Sequence, residues 1–280
     1  MILQTIAYWT LPPGFYDPIL KFGFKLSHMK YLSMLKRNIR FKDLHKGKRC
    51  FILCNGPSVN QQNLLPLKDE IVFSVSSGYH HQDYHIFHPK YHCIPQITYT
   101  SLFTKDTTIA WFKEMDEKVG DAELFLNISE ESLVRENNLF KDRKINYVCM
   151  NGKFDDKQSK IIDITGIIPG IQSVPIMCLM IAMYMGFKEI YLIGVEHDSF
   201  RTREYKYFYT PTMLAGKDHA VCIDGRIKCS LYDEFHAYAY LWEQYRILKY
   251  IAFANNISIC NATCGGALDE FERVSLDKVL

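Results

Sequence analysis

The stretch Cys50-Phe51-Ile52-Leu53-Cys54-Asn55-Gly56-Pro57-Ser58 decides the fold, because it joins a short apolar run to a glycine-proline turn. A continuous apolar run of this length is typical of a parallel strand that is covered on both faces. Ligands of doubly wound folds bind at the carboxyl ends of such strands. Gly56 would let a ligand approach the backbone, and Asn55, Pro57 and Ser58 would complete the binding loop. The turn lacks the glycines of GxGxxG and the lysine of a Walker loop, so a plain βα turn is the alternative interpretation.

The rest of the chain alternates between strand and helix patterns. Further short apolar runs predict strands at 71–75, 92–97, 124–127, 147–150, 190–193 and 257–260. Patterns of helical period predict helices at 107–118, 130–139, 172–185 and 233–255. This alternation predicts an α/β protein with a single doubly wound, mainly parallel, Rossmann-like sheet over residues 48–280. Residues 200–228 are polar and aromatic without a clear period, which favours a lid.

Composition narrows the class of protein. Of the 280 residues, 48% are apolar and 23% are charged, as in ordinary globular proteins. Nine cysteines without a CxxC pair or a secretory signal predict reduced thiols and a cytoplasmic location. No apolar run reaches the roughly 18–20 residues that span a bilayer, and residues 174–185 are expected to form a buried helix. Basic residues cluster at one end without a known nucleic-acid motif, so we expect no nucleic-acid partner.

The first 47 residues form an N-terminal segment with its own character. Residues 1–49 carry ten basic and two acidic side chains, a balance of +8 against a net charge of +2 for the chain. Aromatic residues crowd the start, and Ile19, Phe22, Leu26 and Met29 follow a helical spacing. These features predict an amphipathic segment that holds the protein at an anionic lipid surface. A helix packed on the domain with a solvated basic face is the alternative.

Three further groups of polar residues are expected at the edge of the sheet that carries the carboxyl ends of the strands. Ser76 and Ser77 follow the second predicted strand, either as ligand contacts or as an ordinary turn. Glycines and a proline precede the buried helix, where free N–H groups suit a phosphate or carboxylate. The strand 190–193 ends in ionisable residues that could bind Mg²⁺, ribose or an acceptor. The candidates in the last two groups are Gly170, Ser173, Gly194, Glu196, His197 and Asp198.

Histidines supply the remaining candidates. His236 is predicted in the first turn of the helix 233–255, with Asp233 as its cap. The helix dipole disfavours imidazolium at that position, so the ring would be a neutral general base. A surface histidine is the alternative. Five of the ten histidines fall between His80 and His92, but their spacing matches no standard zinc pattern, which favours a polar loop rim over a metal site.

These motifs together resemble the bacterial sialyltransferases that transfer sialic acid from CMP-sialic acid to lipooligosaccharides. That family has Gly-Asn-Gly-Pro-Ser after its first strand, where this chain has Cys54-Asn55-Gly56-Pro57-Ser58. It also has Gly-Tyr-Lys-Glu-Ile-Tyr-Leu-Ser-Gly-Ile-Asp, where this chain has Gly186-Phe187-Lys188-Glu189-Ile190-Tyr191-Leu192-Ile193-Gly194-Val195-Glu196. The resemblance covers about residues 48–261 and is patchy between the motifs.

The resemblance implies an inverting glycosyltransferase that requires no metal cofactor, with His236 as base. It implies CMP contacts at Asn55, Gly56 and Ser58, while Ser76 replaces a nucleotide-binding asparagine of the family. Two tyrosines of the family hold the leaving phosphate. The second of these tyrosines corresponds approximately to Tyr205, and Tyr207 is a neighbouring candidate. The first tyrosine corresponds to Asp198 in this chain, which is a mismatch. The implied partners are a nucleotide-sugar donor and a lipid-linked or polysaccharide acceptor, and homo-oligomerisation stays open.

The same core motifs are similar to a family named after 6-hydroxymethylpterin pyrophosphokinases, whose members often accompany surface-polysaccharide genes. The ending Asn261-Ala262-Thr263-Cys264-Gly265-Gly266-Ala267-Leu268 and the stretch Gly194-Val195-Glu196-His197-Asp198 resemble this group more closely. A Mg²⁺-dependent pyrophosphoryl transfer would use Glu196 and Asp198 as metal ligands. A non-catalytic nucleotide-sugar-binding protein is the third hypothesis. Metal dependence separates the first two, and turnover separates both from the third.

Overall fold

The computed structural model describes residues 31–99, 104–154, 161–210, 222–223 and 226–280. Most of the predicted membrane segment, residues 1–30, and part of the predicted lid lie outside the described residues. Residues 31–47 pack against the sheet: Leu35 and Phe41 are fully buried, and the Asn38 amide donates to Tyr147 O and Ile164 O at 2.8 and 2.9 Å. Among the described helices, none combines the length and apolarity needed to cross a bilayer.

The fold is α/β, with one sheet of nine strands that all run parallel. The spatial order is β11-β10-β7-β1-β2-β3-β4-β5-β6. A separate antiparallel hairpin, β8–β9, lies in the predicted lid. The strands are β1 (Arg49–Leu53), β2 (Val72–Val75), β3 (Tyr91–Ile94), β4 (Glu123–Asn127), β5 (Ile145–Gly152), β6 (Ile167–Pro169), β7 (Glu189–Ile193), β8 (Cys222–Ile223), β9 (Arg226–Ile227), β10 (Ser258–Asn261) and β11 (Glu272–Arg273).

Helices cover both faces of this sheet, as the predicted doubly wound architecture requires. One face packs on the long helices α5 and α6, and the other packs mainly on α2, α3, α4 and α7. Side chains of β1 alternate between the two cores, with Ile52 on the α5 side and Phe51 on the α3 side. The helices are α1 (Leu32–Lys36), α2 (Tyr84–Phe87), α3 (Lys105–Lys118), α4 (Glu131–Glu136), α5 (Val174–Tyr184), α6 (Leu231–Ala254) and α7 (Leu276–Val279).

All seven strands and all four helices predicted from the sequence are present, with ends shifted by a few residues. Helix α5 is buried along almost its whole length, as expected for the apolar run 174–185. Two details of the prediction were wrong. The stretch before the buried helix, for which no strand was predicted, contains β6. The cap of α6 is Ser230 rather than Asp233, and the Ser230 hydroxyl accepts the Asp233 N–H at 3.1 Å.

The order of the strands creates a switch point at β1. The chain passes from β1 to β2 on one side and later returns to place β7 on the other side of β1. Connections leave β1 and β7 in opposite directions, so a crevice opens between their carboxyl ends, which is where doubly wound folds bind ligands. The loops that follow these two strands are Asn55–Ser58 and Gly194–Asp198. Both were predicted as binding loops from sequence.

Candidate functional site

Two glycines bring the loops after β1 and β7 into direct contact. The Gly56 N–H donates to Gly194 O at 3.0 Å. Gly194 has a φ of +69°, and a Cβ there would lie 2.5 Å from Val59 Cγ2 and 2.9 Å from Cys54 O. Only glycine fits this combination of left-handed backbone and close packing. Gly194, a candidate ligand contact, therefore has an architectural role.

The Glu196 carboxylate occupies the position that was predicted for a ligand at Gly56. Its Oε1 accepts the Ser58 N–H at 2.8 Å, and a Cβ on Gly56 would overlap the carboxylate. The buried Ser58 hydroxyl faces the same carboxylate without a well-formed hydrogen bond. Burial raises the pKa of Glu196, and the Ser58 contacts oppose that rise. In this structure the space beside Gly56 is filled by the Glu196 side chain, and a ligand contact at Gly56 stays a prediction.

The loop after β10 holds Glu196 from the other side. Glu196 O accepts the N–H groups of Ala267 and Leu268 at 2.6 and 3.3 Å. Gly266 has a φ of +80°, and a Cβ there would lie 2.5 Å from Glu196 Cα. Only 8% of Glu196 is exposed, so this side chain ties three loops together and does not face an open metal site.

Three polar residues, Asn55, Ser76 and Ser77, lie on the β2 side of the crevice. Asn55 Oδ1 is buried and accepts no well-formed hydrogen bond from the residues that the structure describes, and it lies 3.4 Å from where a Cβ on Gly78 would be. Ser76 has a φ of +47° and is partly accessible. Ser77 is buried and its hydroxyl accepts the Trp111 indole N–H at 3.1 Å, so Ser77 supports the loop. Ser76 therefore remains accessible to a ligand, and Asn55 is partly accessible although its Oδ1 is buried.

An aromatic segment, Tyr207-Phe208-Tyr209, covers this part of the site. The Phe208 N–H donates to Asn55 O at 3.1 Å, and the Asn60 amide donates to Phe208 O at 2.6 Å. Tyr207 and Tyr209 stack with ring centroids 5.3 Å apart. Burial raises the pKa of Tyr209 to about 12, while contacts of its hydroxyl with Ser77 and Asn55 oppose the shift. Tyr205, just before this segment, is 38% exposed.

The start of α5 is bound by a buried glutamine. Gln244, on α6, accepts the Gln172 N–H at 2.9 Å and donates to Gly170 O at 3.2 Å. Ser173 is the cap residue of α5, but its side chain makes no capping hydrogen bond. Gly170 also donates its N–H to Gly152 O at 2.9 Å, which joins it to β5. Gly170 is thus structural, whereas Ser173 is half-buried at a helix start.

His197 and Asp198 follow Glu196 at the end of β7. His197 has a φ of +48° and shares a hydrogen bond of 2.8 Å between its Nε2 and the Tyr245 hydroxyl. Burial lowers the pKa of His197 to about 4, although part of the residue reaches solvent. Asp198 is partly exposed. These two residues border the crevice between β1 and β7.

His236 lies in the second turn of α6 because the helix begins at Leu231. It is exposed, and its ring contact is Tyr232, with centroids 6.2 Å apart. The dipole effect falls off within the first turn, so the sequence argument for a neutral imidazole loses its force there. No described contact joins His236 to the loop Asn55–Ser58.

Two of the histidines between 80 and 92, His81 and His92, are buried and make local hydrogen bonds. His92 is buried in β3, where Ser74 Oγ and Ser76 O lie 2.7 and 3.0 Å from its two ring nitrogens, and burial lowers its pKa to about 3. His81 Nδ1 accepts the Asp83 N–H at 3.1 Å. Within the described parts of the chain, no three His, Cys, Asp or Glu side chains form a group that could hold a metal.

The structure therefore brings together Asn55, Gly56, Ser58, Gly194 and Glu196. Pro57 opens the short turn Pro57–Gln61 beside them. Sequence reasoning missed Asn60, Phe208, Tyr209, Gln244 and Tyr245. The aromatic run at 207–209 was a usable signal for the lid contact. Gln244 and Tyr245 lie inside a regular helical pattern, which carries no signal of their partners.

Comparison with known proteins found no match: no family model, curated protein or solved structure is significantly similar to this chain.

Proposed function

We propose that the chain is an inverting glycosyltransferase that moves an acidic sugar, sialic acid or a related nonulosonic acid, from a CMP-activated donor to a surface glycan. The observation that carries the proposal is Asn55 Oδ1, a buried acceptor that has no well-formed hydrogen bond from the described residues and lies beneath an aromatic segment at the switch point. A buried acceptor left unpaired is costly, which favours a ligand that donates to it. The exocyclic amine of cytosine is such a donor, and Tyr207 and Tyr209 offer rings for stacking.

The phosphate of the donor is expected away from Ser58. Because the Glu196 carboxylate already accepts the Ser58 N–H, a second anion at that turn would be repelled. Ser173 at the start of α5 and the lid tyrosines Tyr205 and Tyr207 are the remaining candidates for the phosphate. In the transfer, the bond between the anomeric carbon and the CMP oxygen breaks, and CMP leaves with the electron pair. The acceptor oxygen attacks from the opposite face, and His236 takes its proton.

The acceptor would be lipid-linked or a polysaccharide of lipopolysaccharide or O-antigen biosynthesis. The basic N-terminal segment, residues 1–47, would hold the protein at the cytoplasmic surface of the inner membrane beside that acceptor. Sedimentation of the full chain with vesicles that contain anionic lipid tests this part. Binding that persists equally with neutral vesicles, or that survives 1 M salt in full, would contradict the electrostatic attachment, which salt screens at about a 3 Å Debye length.

A Mg²⁺-dependent phosphotransferase is the competing function, and the geometry gives it less support. Its two expected Mg²⁺ ligands differ in their accessibility to solvent. Glu196 is buried, whereas Asp198 is partly exposed. Mg²⁺ binding by this pair would require the Glu196 carboxylate to leave Ser58. A nucleotide-sugar-binding protein without turnover is the third hypothesis. An assay for reaction products separates it from the glycosyltransferase and the phosphotransferase.

A thermal-shift panel with CMP, CDP, UDP, GDP, AMP and ATP, with Mg²⁺ or with EDTA, tests the proposal. A ligand at about 100 times its Kd stabilises the native state by about 2.7 kcal/mol. We expect a shift with CMP or CDP that EDTA leaves unchanged. Asn55→Ala should remove it, while Asn151→Ala, an exposed asparagine on β5, should keep it. A shift only with ATP or AMP plus Mg²⁺ would replace the proposal by the phosphotransferase.

Release of CMP from CMP-sialic acid with a glycan acceptor tests turnover. His236→Ala should abolish it while the CMP thermal shift remains. Unchanged turnover in His236→Ala would remove His236 from the base role.

A further inference from the structure

His197 is held in an unusual backbone conformation at the edge of the candidate site. Its φ of +48° is uncommon for a residue with a side chain, and such outliers persist only where the surroundings hold them. The ring packs edge-on against Trp242 at 6.1 Å, and Nε2 lies 2.8 Å from the Tyr245 hydroxyl. The adjacent residue Glu196 is fixed to the loops after β1 and β10. The position of the imidazole is therefore set from several sides.

The Tyr245 hydroxyl decides which ring nitrogen carries the hydrogen. Tyr245 is fully buried on α6, and burial beside Cys54 and Cys178 keeps its pKa well above its usual value. The hydroxyl hydrogen must therefore find an acceptor, and among the described residues its hydrogen-bond partner is His197 Nε2. If Nε2 carried the hydrogen, the Tyr245 hydroxyl would have no acceptor for its own hydrogen, which is strongly unfavourable in a buried site. Nε2 accepts, so the hydrogen of a neutral ring sits on Nδ1.

The ring stays neutral over the physiological range, because burial lowers the pKa of His197 to about 4. The other nitrogen, Nδ1, makes no hydrogen bond within the described residues, and the residue keeps partial access to solvent. The Nδ1–H group is thus a fixed, uncharged donor at the carboxyl end of β7. Cys54, the residue before Asn55, lies close to Tyr245, which puts the pair beside the end of β1.

We propose that Tyr245 locks His197 as its Nδ1–H tautomer and that this N–H donates a hydrogen bond to an anionic oxygen of the ligand bound between β1 and β7. The identity of that oxygen rests on the proposed function: it belongs either to the phosphate of the nucleotide or to the carboxylate of the acidic sugar. A neutral donor suits this task because it stabilises the oxygen without giving up its proton. Tyr245 is then a positioning residue and His197 is a ligand contact. Both roles are separate from the role of His236 as the base.

The tautomer is measured by long-range ¹H–¹⁵N NMR on the full chain labelled at histidine. We expect the His197 ring to show the neutral Nδ1–H pattern from pH 6 to pH 8. His45, whose Nε2 lies 2.7 Å from the Tyr91 hydroxyl, is expected to show the same pattern, so His197 is assigned by mutation. Its signals should vanish in His197→Asn and persist in His85→Asn, a matched change at an exposed histidine. Tyr245→Phe should convert the pattern to Nε2–H or to a mixture of tautomers. An Nε2–H pattern in the wild type, or no change in a folded Tyr245→Phe, overturns the lock.

The ligand contact is tested by titrating the same sample with CMP and, separately, with free sialic acid. A downfield shift of the His197 Nδ1–H with CMP assigns the phosphate, and a shift with the free sugar assigns the carboxylate. If calorimetry shows that CMP binds but neither ligand moves this resonance, the contact is overturned while the proposed function stands. If no nucleotide or sugar binds at all, the proposed function and the contact both fall, and the tautomer result still decides the lock.

Discussion

Replacing Gly56 by alanine probes the contact between the loops after β1 and β7. Gly56 has a φ of −68° and a ψ of 155°, which alanine adopts without strain, so any cost comes from contacts of the new Cβ. That Cβ would overlap the Glu196 carboxylate, with Oε1 2.6 Å away, and the carboxylate would have to leave the Ser58 N–H. Loss of a hydrogen bond to a charged group costs about 1.5–3 kcal/mol. At about 2–4 °C per kcal/mol for a chain of this size, we expect Tm to fall by about 3–12 °C.

A double-mutant cycle with Glu196→Ala isolates the cause. Without the Glu196 carboxylate the new methyl group has nothing to displace, so Gly56→Ala in that background should cost less than about 0.5 kcal/mol. The assay is urea unfolding of the four proteins followed by circular dichroism. Gly166→Ala is the matched control, because the nearest atom to its Cβ would be Asp163 O at 4.0 Å. Additive costs for Gly56→Ala and Glu196→Ala would refute the account of the contact.

Three further outcomes follow from single sites. Gly194→Ala should lower the free energy of unfolding in urea by more than about 2 kcal/mol, because it adds backbone strain at a positive φ to a clash with Val59 and Cys54. A smaller cost would contradict the architectural role of Gly194. His45 is buried with a pKa lowered to about 4, so the folded state takes up its proton later than the unfolded state as pH falls from 6.5. Stability should therefore decline with falling pH between about 6.5 and 4, and the measured proton linkage should drop by up to one proton in His45→Gln. Cys264 is exposed, whereas Cys50, Cys54 and Cys178 are buried and have raised thiol pKa values. Cys264→Ser should therefore remove a fast phase when the native protein is labelled with a thiol reagent.

The polar loop at β1 could be placed from the sequence, but its partner could not. An apolar run followed by Asn55-Gly56-Pro57-Ser58 indicates a strand and a turn through interactions within a few residues. The same reasoning assigned Gly56 and Glu196 to separate ligand contacts. In the structure they touch each other, because β1 and β7 are neighbours in the sheet although Ser58 and Glu196 are 138 residues apart in the chain.

The histidines show the same division. His236 was predicted as a general base because it lies near the start of a long helical pattern. His197 carries the buried hydrogen bond, because Tyr245 faces it across the packed interface between β7 and α6. No period or spacing encodes that pairing, since it depends on how α6 rotates to bury Tyr245 and Gln244 while leaving His236 exposed.

By itself, the sequence determined the class of fold, seven of the strands, four of the helices and the loops that border the crevice. These features depend on hydrophobic period and on turn residues, which act locally. Only the tertiary structure decided the strand order, the aromatic cover over Asn55, the insertion of Glu196 against Gly56 and the orientation of His197. Those contacts form between residues distant in the chain, where packing of the whole sheet and its helices selects one arrangement.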